Sequence, residues 1–196
     1  MSGFMFKHWQ SFLVINLAFV VAVIELGFHH WSDENALLEN LQAFLLVFAT
    51  ILYLRLTLPA HKSKESILGN MGLSLLCFSF LLREVDIEQL PRMETVGFLF
   101  HGVGRTVLIL TLWCVLLKKV YDHGEVKRLV SELLASDYLH CLKISFLLLM
   151  VGVIFDREVW LIEHGRLYEE LAETNAYLLL IIPAIYGCYY NKQREI

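Results

Sequence analysis

Six stretches of the chain are almost purely apolar, and the polar residues gather between them or at their ends. The stretches cover residues 12–28, 37–58, 67–82, 96–117, 139–155 and 172–190. A helix needs about 20 mostly apolar residues to cross a hydrocarbon layer. The apolar positions run on without the period-two alternation of a membrane barrel, so helices are expected. The fourth stretch, with its run Val107–Leu117, is the strongest, and the third is the shortest. The pattern predicts an all-α, polytopic transmembrane bundle of six spans, forming one domain over residues 1–196. The first span is expected to remain in the protein: Glu25, Phe28, His29 and His30 follow its core where a signal peptide would carry small residues. Pro183 falls inside the sixth span, where it removes one backbone hydrogen bond and predicts a kink.

Composition narrows the class. Hydrophobic residues make up 57% of the chain and charged residues 18%, against roughly 45–50% and 25% in soluble domains. The net charge of −4 gives nucleic acid no electrostatic footing. Cys77, Cys114, Cys141 and Cys188 are dispersed, so four free thiols are expected. The charges also carry orientation. With the N-terminus inside, eleven of the sixteen Lys and Arg fall on the inner side, whereas Arg83, Arg92, Arg105, Arg157 and Arg166 fall outside. That bias predicts both termini in the cytoplasm. The connection 118–137 has apolar positions at Val126, Leu129, Val130, Leu133 and Leu134, a spacing that fits a short amphipathic helix on the inner face.

Ionisable residues in spans are costly, and those present mark candidate sites. Glu25 and His29 lie four apart at the end of the first span. Glu39 and Gln42 open the second; Arg83 and Glu84 close the third. His101 and Arg105 lie four apart on the fourth; Asp156 and Arg157 close the fifth. Glu169, Glu170 and Glu173 open the sixth, with Asn175 and Tyr177 following. In the predicted orientation all fall at the outer level. Glu39, Arg83, Asp156, Glu169 and Glu170 are near enough to helix ends to reach water, and Glu39, Glu169 and Glu170 also suit helix N-termini. Glu25, Arg105 and Glu173 lie deeper and are expected in a buried network, with Arg105 paired to one of the two acids. The openings of spans two and six, Glu39-Asn-Leu-Gln-Ala-Phe-Leu-Leu and Glu173-Thr-Asn-Ala-Tyr-Leu-Leu, share a composition and a direction through the membrane.

Three readings of this layer stand. In the first, Glu25, Glu39, Arg83, Glu84, His101, Arg105, Asp156, Arg157 and Glu173 form an outward-facing site that binds or transports a cation, a polar or phosphorylated small ligand, or a lipid headgroup. Carboxylates with an imidazole suit a divalent cation, for which Glu25, His29, His101 and Glu173 are the candidate ligands; the arginines suit phosphate or carboxylate. In the second, a membrane-embedded hydrolase works at the outer leaflet, with Glu170 or Glu173 as general base, His101 as acid and Arg105 on the oxyanion. In the third, the layer holds together a structural subunit of a membrane complex or homo-oligomer. No His-Glu-x-x-His motif or Gly-rich phosphate loop occurs. A b-type haem is not expected, since His29, His30 and His101 all sit near the outer rim. Glu169-Glu170 is similar to the paired glutamates of the CAAX-type intramembrane proteases. The chain departs from that family at Thr174, where its motif has Arg, and at Gly97, where it has Phe four residues before His.

Glu39-Asn-Leu-Gln42, Leu82-Arg-Glu-Val-Asp86, Phe155-Asp-Arg157 and Glu169-Glu-Leu-Ala-Glu173 together carry a resemblance. The chain resembles an uncharacterised class of small bacterial multi-span, six-helix inner-membrane proteins. The resemblance implies a bacterial inner membrane and the lipid bilayer as partner, and it brings no activity with it.

Overall fold

A computed structural model describes residues 2–25, 37–58, 64–85, 102–122, 139–156 and 165–194, with isolated positions at 124, 126–127 and 131. Side chains are described from residue 14 in the first of these segments, from 67 in the third, up to 155 in the fifth and up to 189 in the last. Among the described residues the chain is all-α, with six helices: α1 (Ser2–Glu25), α2 (Leu37–Arg55), α3 (Lys64–Glu84), α4 (Gly102–Asp122), α5 (Leu139–Asp156) and α6 (Gly165–Arg194). Three of them are long and apolar enough to cross a membrane: Leu37–Arg55, Ile67–Glu84 and Gly165–Tyr189. Val14–Glu25, within α1, and Leu139–Phe155, within α5, are shorter apolar stretches among the residues whose side chains are described. The side chains are distributed as lipid would select. Phe44, Val107, Leu110, Phe146 and Leu147 face outward, while Gln42, Ser74, Ser145, Glu170, Glu173 and Thr174 are buried. Outward apolar faces of this extent, together with the three long helices, point to a membrane protein.

The helix ends depart from the predicted spans for local reasons. α2 stops at Arg55 and not at 58. Its last turn tightens, with Thr57 N donating to Leu54 O (2.9 Å) and Leu58 N to Arg55 O (3.2 Å). Residue 59 is proline, which disfavours helical backbone at the residue before it. α4 is described from Gly102, so 96–101, including His101, lie outside the described residues. Between Arg105 and Lys118 its described part carries twelve uncharged residues, about 18 Å of helix. Past its C-terminus Gly124 takes φ 65° and donates to Tyr121 O at 2.9 Å, a left-handed termination that favours glycine. α6 begins seven residues before the predicted span and runs through the buried Pro183. The amphipathic helix expected over 118–137 lies mostly outside the described residues.

Two compact units divide the chain, one of residues 1–42 and 137–180 and the other of 43–136 and 181–196. In the first, Val23, Leu38 and Leu167 form a buried cluster backed by Phe19, Ile24 and Leu171. Contacts along its helices give their directions. Phe155 meets Tyr168 with ring centroids 5.6 Å apart, and Ser145 Oγ donates to Ala176 O at 2.9 Å, so α5 runs against α6. Val23 lies with Leu167 and Asn16 with Asn175, so α1 also runs against α6. Glu39 meets Arg166 and Gln42 meets Glu170, so α2 runs parallel to α6.

In the second unit α3 and α4 pack antiparallel. Arg105 Nη1 donates to Leu82 O at 2.8 Å and Trp113 Nε1 to Ser79 Oγ at 3.3 Å. A Cβ on Gly72 would touch Leu116 at 3.8 Å. Ser79 passes the bond on, donating to Leu75 O at 2.8 Å. Ser74 Oγ ties the same helix to α2 through Thr50 O, 3.1 Å away. Gly187 of α6 admits Leu56, whose Cδ1 would stand 2.9 Å from any added Cβ. All four cysteines are free thiols; Cys77 and Cys141 are buried and Cys114 is exposed.

Candidate ligand-binding site

The first unit buries a run of polar side chains on one face of α6. Positions 166, 170, 173 and 174 recur at helical spacing, so they stack over successive turns. Glu39 and Gln42, one turn apart on α2, face two of those turns. At the first turn Arg166 Nη2 donates to Glu39 Oε1 at 3.0 Å; the arginine side chain is half exposed, so the pair contributes only modestly to stability. At the next, Gln42 is fully buried. Its Nε2 lies 2.7 Å from Glu170 Oε2, 3.0 Å from Glu170 O and 3.2 Å from Thr174 Oγ1. Two N–H groups thus face three acceptors. The other end of the same amide, Oε1, is buried and has no hydrogen-bond partner among the described residues. An unmet buried acceptor is costly, about 1–3 kcal/mol.

Glu173 lies on the next part of that face, against α5. A Cβ at residue 152 would stand 3.1 Å from Glu173 Cγ and 3.6 Å from its Oε1, so Gly152 is what lets the carboxylate side chain fit between the helices. Asn16 and Asn175 face each other with both amides engaged: Asn175 Nδ2 donates to Asn16 Oδ1 at 2.6 Å, and Asn16 Nδ2 to Asn175 Oδ1 at 3.3 Å. Interhelical amide pairs in membranes couple by about 0.6 kcal/mol on average and up to about 1.7. A double-mutant cycle with Asn16→Leu and Asn175→Leu, read by thermal melts in detergent, is expected to give a coupling of about 1 kcal/mol. Additivity within error would remove the pair from the packing account.

The expected site residues fall out as follows. Glu25, Glu39, Asp156, Glu170 and Glu173 belong to the first unit, and Arg83, Glu84 and Arg105 to the second. His29, His101 and Arg157 lie outside the described residues, as does the side chain of Asp156. Glu25 is the exposed last residue of α1, whereas Glu170 and Glu173 are buried at 6% and 4% exposure. Arg83 bonds its neighbour Glu84 at 2.7 Å with its side chain 46% exposed. Arg105 donates to a carbonyl in the last turn of α3, an acceptor that no intrahelical N–H serves. Among the described residues no group of three His, Cys, Asp or Glu is placed to hold a metal ion. Gln42, Asn16, Ser145 and Thr174 were not among the expected site residues. Asn16 interrupts an otherwise apolar run and carries a readable signal; Ser145 and Thr174 carry none, because a hydroxyl in a membrane helix can bond its own preceding turn.

Comparisons with family models, with curated proteins and with solved structures find no match to this chain. A functional reading therefore rests on the side chains themselves.

Proposed function

We propose that this chain is a six-span protein of the bacterial inner membrane, with both termini in the cytoplasm, that binds or transports a small cation or polar ligand. The observation that carries the reading is the buried polar cluster of Gln42, Glu170 and Thr174, whose amide oxygen has no donor among the described residues. Burial of such groups in a membrane protein is costly and marks function by default. Helix direction supports the span count. α2 parallel to α6, α1 and α5 against α6, and α3 against α4 are the directions that six successive crossings produce. The Lys and Arg bias supports the orientation. Among the described outer arginines, Arg83, Arg105 and Arg166 are all engaged with acceptors of the chain itself, which favours a cation over a phosphorylated headgroup.

Two measurements test the reading. An engineered cysteine at residues 33–35 is expected to react with an impermeant thiol reagent from outside only; labelling from inside would overturn the topology. Purified full-length protein is expected to gain thermal stability from at least one member of a panel of metal ions, ammonium compounds, amino acids and phospholipid headgroups, and Gln42→Leu is expected to abolish that gain. A panel without any stabilising member would overturn the binding function.

A further inference from the structure

We infer that one end of the second unit, where α2 and α4 finish and α3 begins, is a docking surface for anionic phospholipid, of the phosphatidylglycerol class, held by Arg55, Lys118 and Lys127. The inference needs only that this end lies at a membrane surface, and it is independent of the ligand proposed at Gln42. Contacts within the unit bring these positions together. Ser74 bonds Thr50 O, and Gly72, two residues before it on α3, lies against Leu116. Arg55 and Lys118 follow Thr50 and Leu116 within about one and a half helical turns. A short connection returns the chain from Arg55 to Lys64, the first residue of α3, as antiparallel neighbours require. Leu56 packs against Gly187, so the last turns of α6, with Lys192 and Arg194, follow to the same end. Past α4 the chain turns at Gly124 and is again helical at Val126 and Lys127, both exposed.

The sequence loads that end with positive charge. Segments 55–65, 118–128 and 190–196 hold nine Lys and Arg against four Asp and Glu, whereas 83–105, at the other end of the same unit, holds three against four. The basic side chains are also differently engaged. Arg83 bonds Glu84 and Arg105 bonds Leu82 O. Arg55, Lys118 and Lys127 are exposed and make no hydrogen bond or ion pair among the described residues. Next to them on the same helices the surface is apolar: Leu54, Leu58, Leu117 and Tyr121 are each more than half exposed. A partner that fits both parts carries an anionic head and apolar chains. Long basic side chains lay their stems along apolar surface and hold the charge at the headgroup level, where anionic lipid attracts Lys and Arg. A free phosphate would leave the apolar surface without a partner. A zwitterionic lipid balances its phosphate with its own ammonium and gains less from three cations.

The test uses the purified full chain in detergent, with dioleoyl-phosphatidylglycerol, dioleoyl-phosphatidylcholine or inorganic phosphate added at equal concentration. Phosphatidylglycerol is expected to raise the melting temperature by roughly 4 °C more than phosphatidylcholine. Native mass spectrometry is expected to show it bound about tenfold more tightly, and high salt to narrow the difference. The combined variant Arg55→Gln, Lys118→Gln and Lys127→Gln is expected to lose most of this preference. Lys143→Gln, at an exposed lysine of the first unit, is expected to keep it. Equal effects of the two lipids on the wild type overturn the inference, whether or not the combined variant folds. So does a preference that the combined variant retains, or that Lys143→Gln abolishes. A gain that inorganic phosphate reproduces in full marks a bare anion site and overturns the lipid. The ligand panel for Gln42 is scored separately, so either reading can fail without the other.

Discussion

Gly152→Leu is expected to destabilise the protein by about 3 kcal/mol, near the upper end of the cost of overfilling a packed interior. The Cβ alone would stand 3.1 Å from Glu173 Cγ and 3.8 Å from Glu169 O. Three further carbon atoms have no space unless α5 moves off α6, and that movement breaks the Ser145–Ala176 hydrogen bond. Gly152→Ala is milder. A helix-propensity gain of up to about 1 kcal/mol offsets part of the crowding, so its net effect should stay within about 1 kcal/mol. The partner substitution separates steric from electrostatic causes. Glu173→Ala removes the Cγ that Gly152→Leu would strike and should relieve part of its cost, whereas Glu173→Gln keeps the same bulk and should relieve none. Chemical or thermal denaturation of the four variants measures this. Equal relief by Gln and Ala would show that charge, not bulk, decides the fit.

Gln42→Leu carries the second large effect, about 2 kcal/mol of lost stability in the absence of ligand. Leucine fills a similar volume, so packing changes little. The lost interaction is a hydrogen bond of 2.7 Å to the buried Glu170 carboxylate, in the class worth about 1.5–3 kcal/mol. Removing the partnerless Oε1 returns part of that cost. The remainder falls on Glu170, left in the interior without the amide's N–H. Adding Glu170→Leu should therefore cost less in the Gln42→Leu background than in the wild type, because the carboxylate then has less to lose. A strictly additive pair would mean that the bond contributes nothing net.

How much of this was readable from the sequence differs between helices and site. The start of α2 at Leu37 and the extent of α5 coincide with the apolar pattern, because there the polar boundary and the helix end are the same residues. α6 begins at Gly165, well before the apolar run, since a helix propagates through Arg166, Glu169 and Glu170 as readily as through leucine. Hydropathy sees the lipid boundary; the backbone does not. The same blindness governs the site. Glu170 sits near the end of an apolar run, where contact with water is the natural reading, yet Gln42 lies against it and both are buried. Periodicity placed Glu39 and Gln42 on one face and left open which helix that face would meet. Tertiary partners 128 residues apart leave no mark in a local pattern.

Parallel neighbours also constrain the order of assembly. Helices that run the same way cannot form as a hairpin, so α2 must wait for α6 to be made before the Gln42 amide meets Glu170. The separation of 128 residues corresponds to about 6–26 s of synthesis at about 5–20 residues per second. For that interval the amide of Gln42 has none of the acceptors it holds in the finished protein, since Glu170 and Thr174 do not yet exist. The hydrogen bonds at Gln42 are therefore among the last to close, and a nascent chain stalled before residue 165 carries a donor-bearing amide in α2 that other polar helices in the membrane can capture.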